Sequence, residues 1–508
     1  MYLNKIFRKA ALAIFSFISI ILLVVNCATE EPKSITILHT NDMHGHFTAE
    51  PASWLDDHPL VGGMVAIDYY VKQERTKAAN SLLLDAGDFM TGNLICDMEY
   101  KGAYGGALIE MMNMIGYDCG VIGNHEFDKS ADNVRKLIAL ADYPIVCANL
   151  VDSSGSNFTA ERYHIFNVNG LRVGVIGVTY HQMYGMASPK NLHGFYTVDP
   201  ADKVNEIVKE IDSKTDLIIV LSHLGLDSDS LLASKIQNVD VIVGGHTHTR
   251  IKEPERINGV LIVQAGSYTS DLGILDLQVA GDSIYSYSGQ LITTFNDEVK
   301  PDPKLAEFAD SFATIIESEY GKEIGKLKTD WKTEYREECN VGDWLTDAMR
   351  KQTSADVAFI NSGGIRKNLL AGPITLKDIA EMLPFQNYVE TFECSGADLL
   401  TILEENARAQ GLETHGILQV SGVSYTWRKK GNDVVLDKAM VGGKLIDKNK
   451  TYKIASIDYV NSNMDLYYKI TLNNINNTGI MLSDMIIDAV KQAGTIDSKI
   501  EGRIKQAK

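Results

Sequence analysis

Cysteine is scarce in this chain, and its scarcity excludes two kinds of stabilisation. The 508 residues include 6 cysteines, and the five that follow Cys27 are an odd, widely spaced set that does not form a disulfide framework. None of them belongs to a CxxC pair, so a thiolate zinc site is not expected either. We therefore predict buried free thiols that pack as small apolar side chains. These are Cys96, Cys119, Cys147, Cys339 and Cys394.

Positive charge is also in short supply. The chain has 48 Lys and Arg against 66 Asp and Glu, a formal net charge of -18. A protein that binds nucleic acid by neutralising phosphates needs the opposite balance, so no nucleic-acid partner is expected. A small anionic substrate remains open if metal ions or a few arginines supply positive charge locally. The hydrophobic fraction of 45% is that of an ordinary globular protein with two or three domains.

A long apolar run occurs at the N-terminus. Lys5, Arg8 and Lys9 precede an apolar stretch at 10–25, which is the layout of a secretory signal peptide. A membrane anchor is the alternative, but a span usually needs about 20 apolar residues. The run ends at Cys27 and resembles a bacterial lipoprotein signal, which implies a lipid on Cys27. We therefore expect an exported protein, periplasmic or on the cell surface, that touches membrane only through that lipid.

The N-terminal part of the sequence alternates between two patterns. Short β-branched runs predict buried strands, and longer stretches between them have helical periodicity. This alternation predicts an α/β layered domain. The predicted strands lie at 35–38, 82–84, 172–177, 217–221 and 241–243. The predicted helices lie at 105–115, 130–141 and 200–211.

A polar stretch with two prolines, 296–303, interrupts this pattern and precedes a predicted helix at 304–320. A second α/β pattern follows it, with a helix at 342–352 and strands at 422–427 and 452–457. The predicted division is a signal peptide and tether at 1–32, a first domain at 33–296, a linker helix at 297–325 and a second domain at 326–508.

Polar side chains of metal-binding type follow the N-terminal strands. In open α/β sheets the carboxyl ends of the strands form the crevice where ligands bind, so these residues can meet there. Residues two apart in extended backbone point to the same side, which lets Asp42 and His44, or His246 and His248, chelate as pairs; His46 competes with His44 for this role. The predicted ligands are Asp42, His44, Asp88, Asn124, His223, His246 and His248.

This donor set predicts a particular chemistry. Carboxylates and imidazoles without thiolates suit Zn, Mn, Fe or Co, and Asp88 is the natural bridge between two divalent ions. Two ions can polarise a phosphoryl group and turn bound water into an attacking hydroxide, so no covalent nucleophile is needed. His125 is then free to stabilise charge on the phosphoryl or leaving oxygen, and Asp128 can fix its tautomer.

Five short segments at the strand ends resemble the five motifs of the calcineurin-like metallophosphoesterases. They are Asp42-x-His44, Gly87-Asp88, Gly123-Asn124-His125-Glu126, His223 and Gly244-Gly245-His246-x-His248. The segment 124–128 and the second domain are similar to the bacterial 5′-nucleotidase family, so the likeness extends from about residue 35 to the C-terminus. It implies an α/β fold with an N-terminal four-layer αββα sandwich, a linker helix and a C-terminal α/β substrate-binding domain. It also implies that His125 and Asp128 are the catalytic dyad. One metal would be held by Asp42, His44, Asp88 and His248, and the other by Asp88, Asn124, His223 and His246.

The second domain carries the motifs that the resemblance relates to substrate. The segment 361–366 resembles the family's Asn-Gly-Gly-Gly-x-Arg loop, with Ser362 in place of a glycine. Arginines can hold phosphate or carboxylate groups through forked hydrogen bonds, and an aromatic ring can stack on any base. The segment 461–468 replaces the usual Gly-Gly-Asp-Gly-aromatic sequence, so the second stacking ring is Tyr467 or Tyr468. The implied substrate contacts are Arg336, Asn361, Arg366, Phe385 and Tyr467.

The function implied is an exported hydrolase with two metal ions that releases phosphate from nucleotides, with UDP-sugars as further candidate substrates. Three alternatives remain open. These are a 2′,3′-cyclic-nucleotide 2′-phosphodiesterase with 3′-nucleotidase activity, a nucleotide-sugar pyrophosphatase, and a surface protein that binds nucleosides without catalysis. A hinge near 297–320 is expected to gate turnover by carrying the second domain toward the metals.

Overall fold

The computed structural model describes residues 31–181, 189–412 and 414–507. The predicted signal peptide and Cys27 lie outside the described residues. Within the described ranges, no helix is both long enough and apolar enough to cross a membrane.

The first 300 residues form eighteen strands and six α-helices within the described ranges. The strands are β1 Lys33–Thr40, β2 Glu50–Pro51, β3 Leu60–Val61, β4 Ser81–Asp85, β5 Glu99–Tyr100, β6 Ala103–Tyr104, β7 Cys119–Val121, β8 Ile145–Val146, β9 Leu150–Val151, β10 Tyr163–Val168, β11 Leu171–Thr179, β12 Tyr196–Thr197, β13 Leu217–His223, β14 Val241–Gly244, β15 Glu255–Ile257, β16 Val260–Val263, β17 Asp271–Val279 and β18 Ile284–Thr293. The helices are α1 Met64–Lys77, α2 Gly106–Ile115, α3 Ala131–Leu140, α4 Pro189–Leu192, α5 Pro200–Ile211 and α6 Leu226–Ala233.

Two six-stranded sheets organise this domain. Their strand orders are β18-β17-β1-β4-β7-β8 and β10-β11-β13-β14-β16-β15. One apolar cluster joins residues of both sheets, including Ile37 and Val175, so the sheets pack face to face. Helices α1 to α3 cover the outer face of the first sheet, and α5 and α6 cover that of the second. The predicted αββα sandwich is therefore confirmed.

Strand β1 shows why its sequence is a continuous apolar run. Ile35 and Ile37 pack between the two sheets, whereas Leu38 packs against the helices on the other face. A strand that is covered on both faces has no polar side to alternate with. Parallel pairing of β1 with β4, and of β4 with β7, then brings their carboxyl ends to one edge.

The predicted helix at 304–320 is found as α7, Pro303–Tyr320. The carboxylate of Asp302 accepts hydrogen bonds from the N–H groups of Lys304 and Leu305, and Pro303 occupies the first turn, which is the usual start of a helix. Its buried residues, Leu305 and Phe312 among them, belong to the apolar cluster of the first domain. Helix α7 is therefore packed on the first domain along its length.

The second domain follows α7. Its strands are β19 Glu323–Leu327, β20 Val357–Asn361, β21 Gly372–Thr375, β22 Tyr388–Ser395, β23 Leu418–Ser421, β24 Val423–Lys430, β25 Asp433–Val441, β26 Lys444–Leu445, β27 Thr451–Ile457, β28 Asn476–Met481, β29 Thr495–Ile496 and β30 Ile504–Gln506. Its helices are α8 Asn340–Thr353, α9 Leu376–Met382, α10 Gly396–Leu412, α11 Asp458–Ser462, α12 Met464–Tyr468 and α13 Leu482–Ala493.

A five-stranded sheet of order β23-β20-β27-β22-β28 is the centre of this domain. Smaller sheets of three strands, β21-β19-β29, and four strands, β26-β25-β24-β30, flank it. One apolar cluster runs through all of them, and α8 and α10 pack on it. The five cysteines that follow Cys27 are buried and free in the structure, as predicted.

Candidate active site

The strand-end residues of the first domain meet at one edge of the two sheets. They form two groups, and within each group the candidate ligand atoms lie within 4.8 Å of one another. Each group draws on both sheets, because β1 and β4 belong to the first and β13 and β14 to the second. Cluster 1 is defined by Asp42, His44 and His248, and cluster 2 by Asp88, His223 and His246.

The distances within the clusters are short. In cluster 1, Nε2 of His44 lies 3.1 Å from Nε2 of His248, which in turn is 3.5 Å from Oδ1 of Asp42. In cluster 2, Nε2 of His223 is 3.0 Å from Oδ2 of Asp88. The backbone N–H of His246 donates to Oδ2 of Asp42 over 2.8 Å. The two clusters are therefore adjacent parts of one site.

Backbone carbonyls fix the orientation of two of the imidazole rings. Nδ1 of His44 donates to the carbonyl of Thr91 over 2.8 Å, and Nδ1 of His223 donates to that of Ala86 over 2.7 Å. A carbonyl can only accept, so the proton is on Nδ1 in each ring. In the neutral ring, Nε2 then carries the lone pair that a metal-binding histidine needs.

Five of the seven predicted ligands have left-handed backbone conformations, which the sequence analysis did not anticipate. Their φ values lie between 48° and 75°. Such conformations cost about 1–3 kcal/mol each outside glycine, and they turn the chain sharply at the end of each strand. The five are Asp42, His44, Asp88, His246 and His248.

Buried polar atoms indicate that the site fits cations. Oδ1 of Asn124 is buried and has no hydrogen-bond partner among the described residues, although buried polar atoms normally have one, and Nε2 of His223 faces the carboxylate of Asp88 at 3.0 Å. Burial, the main cause, and repulsion from His223, the second cause, lower the pKa of His246 to about 3. Its ring is therefore neutral, as ligation requires. Oxygen and imidazole donors at these distances fit two divalent ions.

The predicted dyad lies beside cluster 1. Nδ1 of His125 is 2.7 Å from Oδ2 of Asp128, and the ring centroids of His125 and His44 are 5.2 Å apart. Burial lowers the pKa of His125, but the carboxylates of Asp128 and Asp88 outweigh it and raise the pKa above its ordinary value. The backbone N–H of His125 also donates to Oδ1 of Asp88 over 2.8 Å, which links the dyad to cluster 2.

The structure distinguishes between His44 and His46. His46 belongs to neither cluster; its Nδ1 lies 3.5 Å from Oε2 of Glu50, and its ring centroid is 4.4 Å from that of Tyr268. His44 is the member of the pair that belongs to cluster 1.

Two supporting residues were missed in the sequence analysis. Nδ2 of Asn41 donates to Oδ2 of Asp42 over 2.7 Å and to the carbonyl of Gly266 over 2.6 Å. Glu126, 1% exposed, accepts from three backbone N–H groups of the ligand loops. These belong to Asp88, Met90 and Gly123. Both residues adjoin predicted site residues in sequence, and that adjacency was the available signal.

Two predicted substrate residues of the second domain reach the clusters. Nη2 of Arg366 lies 3.1 Å from Nε2 of His44, and the ring of Phe385 is 5.6 Å from that of His125. The loop that carries Arg366 contains two further atoms of interest. Oδ1 of Asn361 and Nε of Arg366 are buried and have no hydrogen-bond partner among the described residues.

The other predicted substrate residues lie along the same face. The segment 461–468 contains the end of helix α11 and the whole of helix α12. Tyr468 is 4% exposed and packs in the core, whereas Tyr467 is partly exposed. Burial, then Tyr180 and Tyr335, raises the pKa of Tyr467 to about 12. Tyr180 belongs to the first domain and stacks 4.5 Å from His246. Tyrosines of both domains therefore line the space between them.

The loop around Tyr335 explains the serine that replaces a glycine in the Arg366 loop. Oγ of Ser362 donates to the carbonyl of Tyr335 over 2.6 Å, so the side chain ties two loops together. Arg336, the next residue, is half-buried, with its guanidinium 5.9 Å from the Tyr335 ring.

Comparisons with known proteins agree with this architecture. The family model of calcineurin-like phosphoesterases matches residues 35–250, and that of the 5′-nucleotidase C-terminal domain matches residues 322–471. The endonuclease YhcR of Bacillus subtilis is 30% identical over 84% of the chain, which spans only 37% of that protein's length. A 5′-nucleotidase of Vibrio cholerae is 27% identical over 94% of this chain and 95% of its own.

A solved structure is similar over almost its full length. The 5′-nucleotidase precursor of Thermus thermophilus superposes with a TM-score of 0.85 and 26% identity, covering 93% of this chain and 99% of that one. The matched models, the relatives and the two clusters agree. This chain belongs to the 5′-nucleotidase family and is a metal-dependent phosphoester hydrolase.

Proposed function

We propose that the protein releases phosphate from nucleotides, as a 5′-nucleotidase. The observation that carries this proposal is the meeting of the two domains. Arg366 of the second domain lies 3.1 Å from His44 of cluster 1, so an anion-binding side chain and the metal-binding site share one space. A guanidinium fits a phosphate that is also in contact with metal ions.

We assign two divalent ions to the site, Zn, Mn, Fe or Co by the donor set. When bound, they would polarise the phosphoryl group and lower the pKa of the attacking water. Asp88 would be shared by both ions. One ion would be held by Asp42, His44, Asp88 and His248, and the other by Asp88, Asn124, His223 and His246.

In the first domain, His125 and Asp128 would stabilise the negative charge that develops on the substrate. Because Nδ1 of His125 is held by Asp128 at 2.7 Å, Nε2 is the atom left for the substrate. The raised pKa of His125 favours the protonated ring, which can stabilise negative charge on the phosphoryl or leaving oxygen.

The second domain would recognise the rest of the nucleotide. We assign Arg336 and Arg366 to its phosphate groups, and Asn361 to hydrogen bonding through its unpartnered Oδ1. Phe385 and Tyr467 would stack on the base. Stacking on an aromatic ring does not discriminate between bases. We also propose the domain division 33–296 and 326–508, joined by 297–325.

Export is part of the same proposal. The apolar run before Cys27 supports a periplasmic or cell-surface lipoprotein, in which the lipid is the sole membrane contact. UDP-sugar hydrolysis and 2′,3′-cyclic phosphodiesterase activity use the same metal chemistry, so the substrate has to be determined by assay.

The test is phosphate release, together with chromatography of the nucleoside and nucleotide products, by the purified protein without residues 1–26, with added Mn or Zn. The substrates would be AMP, ATP, UDP-glucose, 3′-AMP and 2′,3′-cyclic AMP. Preference for AMP or ATP would support the proposal. Preference for the cyclic or 3′ compounds would retain the metal site and reject the specificity.

The surface offers a matched control for the dyad. His164 pairs with Glu161 at 2.7 Å and the same spacing of three residues, but it is half-buried on β10, the edge strand of the second sheet. We expect His125→Ala to lower kcat about 100-fold or more, in the range of general acid–base contributions, and His164→Ala to leave it unchanged. Equal rates for both variants, no higher than the rate without protein, would favour a binding protein without catalysis.

A further inference from the structure

A buried polar cluster crosses the boundary between the two domains next to the active site. Nζ of Lys367 hydrogen-bonds to Oε2 of Glu381 and lies 3.4 Å from Oε1 of Glu50. Nδ2 of Asn93 donates to Oε1 of Glu381 over 2.7 Å. Glu50 and Asn93 belong to the first domain, and Lys367 and Glu381 to the second. We call these four residues the interdomain clasp.

The clasp is largely removed from solvent. The side chain of Glu381 is 1% exposed and that of Lys367 is 18% exposed. Burial lowers the pKa of Lys367, but Glu50 and Glu381 outweigh it and raise the pKa above its ordinary value, so the ammonium group is charged. Removing one partner of a buried ion pair leaves the other charge uncompensated. The contacts of the clasp that cross the boundary are those of Lys367 with Glu50 and of Asn93 with Glu381, so separation of the domains would break both.

The clasp joins the loop that orients a metal-ligand candidate to the loop that carries Arg366. On the first domain, the carbonyl of Thr91 holds Nδ1 of His44, and Asn93 follows two residues later. On the second domain, Lys367 directly follows Arg366, whose own N–H donates to the carbonyl of Met382 over 2.9 Å. The position of Arg366 relative to His44 is thus fixed by contacts between the domains. One of these contacts is made by Lys367, the residue next to Arg366.

We infer that Lys367 is a positioning residue that holds the Arg366 guanidinium at the metal clusters by locking its loop across the domain boundary. The expected effect of Lys367 on substrate turnover rests on the proposed function, in which Arg366 contacts the phosphate. The effect on domain arrangement does not rest on it, and can be measured without any substrate.

The chain provides a matched control. Nζ of Lys377 lies 3.8 Å from Oε1 of the same Glu381, but both residues belong to helix α9 and the pair does not cross the boundary. We expect Lys367→Met to lower kcat/KM for AMP about 10- to 100-fold, the range for one charge-assisted contact. Lys377→Met should change it less than about twofold. Lys367→Arg should restore most of the activity because the charge is retained.

A double-mutant cycle tests whether Lys367 acts through its neighbour. If it does, Lys367→Met should cause no further loss of kcat/KM in an Arg366→Ala background, since coupled residues are not additive. Losses that multiply would show that Lys367 acts by another route and would overturn the inference.

The domain arrangement gives an independent readout. The five described cysteines are buried, so with Cys27 replaced by serine, spin labels can be placed on Lys209→Cys and Lys429→Cys, one exposed position in each domain. Lys367→Met should lengthen or broaden the distance distribution, whereas Lys377→Met should not. Identical distributions for the two variants would overturn the inference. An inactive wild-type protein would reject the proposed function and leave this test in force.

If Lys367→Met does not fold, Glu50→Gln probes the clasp from the other domain. Glu50 is 24% exposed, so its neutralisation leaves no deeply buried charge on its own side. We expect the same change in the distance distribution with a smaller amplitude. An unchanged distance distribution in a folded Glu50→Gln protein would also overturn the inference.

Discussion

The residues of the metal clusters and the residues of the second domain that face them are held in different ways. Asp42 and His246 are fixed within one domain, by strand ends, left-handed backbone and hydrogen bonds between the loops. Arg366 and Phe385 are carried by loops of the other domain and reach the site only across the boundary. On the proposed function, chemistry common to all substrates belongs to this rigid part, and recognition belongs to the residues that reach the site across the boundary.

The largest expected effect lies in the rigid part. Asp88→Asn removes a carboxylate that accepts from the His125 N–H and lies 3.0 Å from His223. Losing an outer-shell partner typically costs 10- to 100-fold in metal affinity or activity, so we expect loss of a shared ligand to exceed about 100-fold. The loss should be the same for AMP and for p-nitrophenyl phosphate, which has no base.

The measurement is phosphate release together with metal content of the purified variant. Asp216→Asn is the control, because that carboxylate pairs with Arg172 on the surface. A loss confined to AMP would break the comparison, since it would place recognition in the first domain.

The second expected effect separates the two substrates. Phe385→Ala removes the ring next to His125, and stacking of a base on an aromatic ring contributes about 1–3 kcal/mol. We therefore expect kcat/KM for AMP to fall about 5- to 150-fold, with p-nitrophenyl phosphate unaffected.

Tyr388→Ala tests whether any aromatic of this region would give the same result, because Tyr388 is 39% exposed at the start of β22. We expect no change for either substrate. Equal losses for AMP and p-nitrophenyl phosphate in Phe385→Ala would mean that the ring supports the dyad and does not bind a base.

The smallest expected effect concerns the stability of the rigid part in acid. His39 on β1 is 1% exposed, and its Nδ1 has no hydrogen-bond partner among the described residues. Burial lowers its pKa from 6.5 to about 3. The unfolded chain therefore takes up a proton that the folded chain does not, so stability is present above pH 6.5 and falls as the pH decreases below it. At pH 5 this loss amounts to about 2 kcal/mol.

Urea unfolding at pH 7.5 and pH 5.0 measures this loss. His39→Leu should reduce the difference between the two unfolding free energies by about 2 kcal/mol, whatever it does to stability at pH 7.5. The same pH dependence in wild type and His39→Leu would show that the ring is protonated in the folded protein.

The sequence predicted the elements that hold the clusters because their signals are local. The run at 35–38 lies within β1, and the Asp-Pro start at 302–303 marks α7 within one residue of the predicted helix. The residues at the strand ends could be predicted as one group because parallel strands bring their carboxyl ends to the same edge.

Other features depend on contacts that have no local signal. The left-handed conformation of Asp88 follows from closure of its loop against Gly123 and Glu126, and the pairing of Lys367 with Glu50 joins residues more than 300 positions apart. The difference in burial between Tyr467 and Tyr468 depends on helix α12, because successive residues of a helix face different sides.

The left-handed backbone at five metal-ligand candidates has an evolutionary consequence. Among residues other than glycine, Asn, Asp and His are the ones that adopt positive φ most readily, and they are also the common oxygen and nitrogen ligands of divalent ions. A loop that must turn this way at the end of a strand therefore admits a small set of residues for steric reasons alone. Selection for such a turn would enrich a lineage in ligand residues before any ion was bound, so strand-end loops are ready starting points for new metal sites.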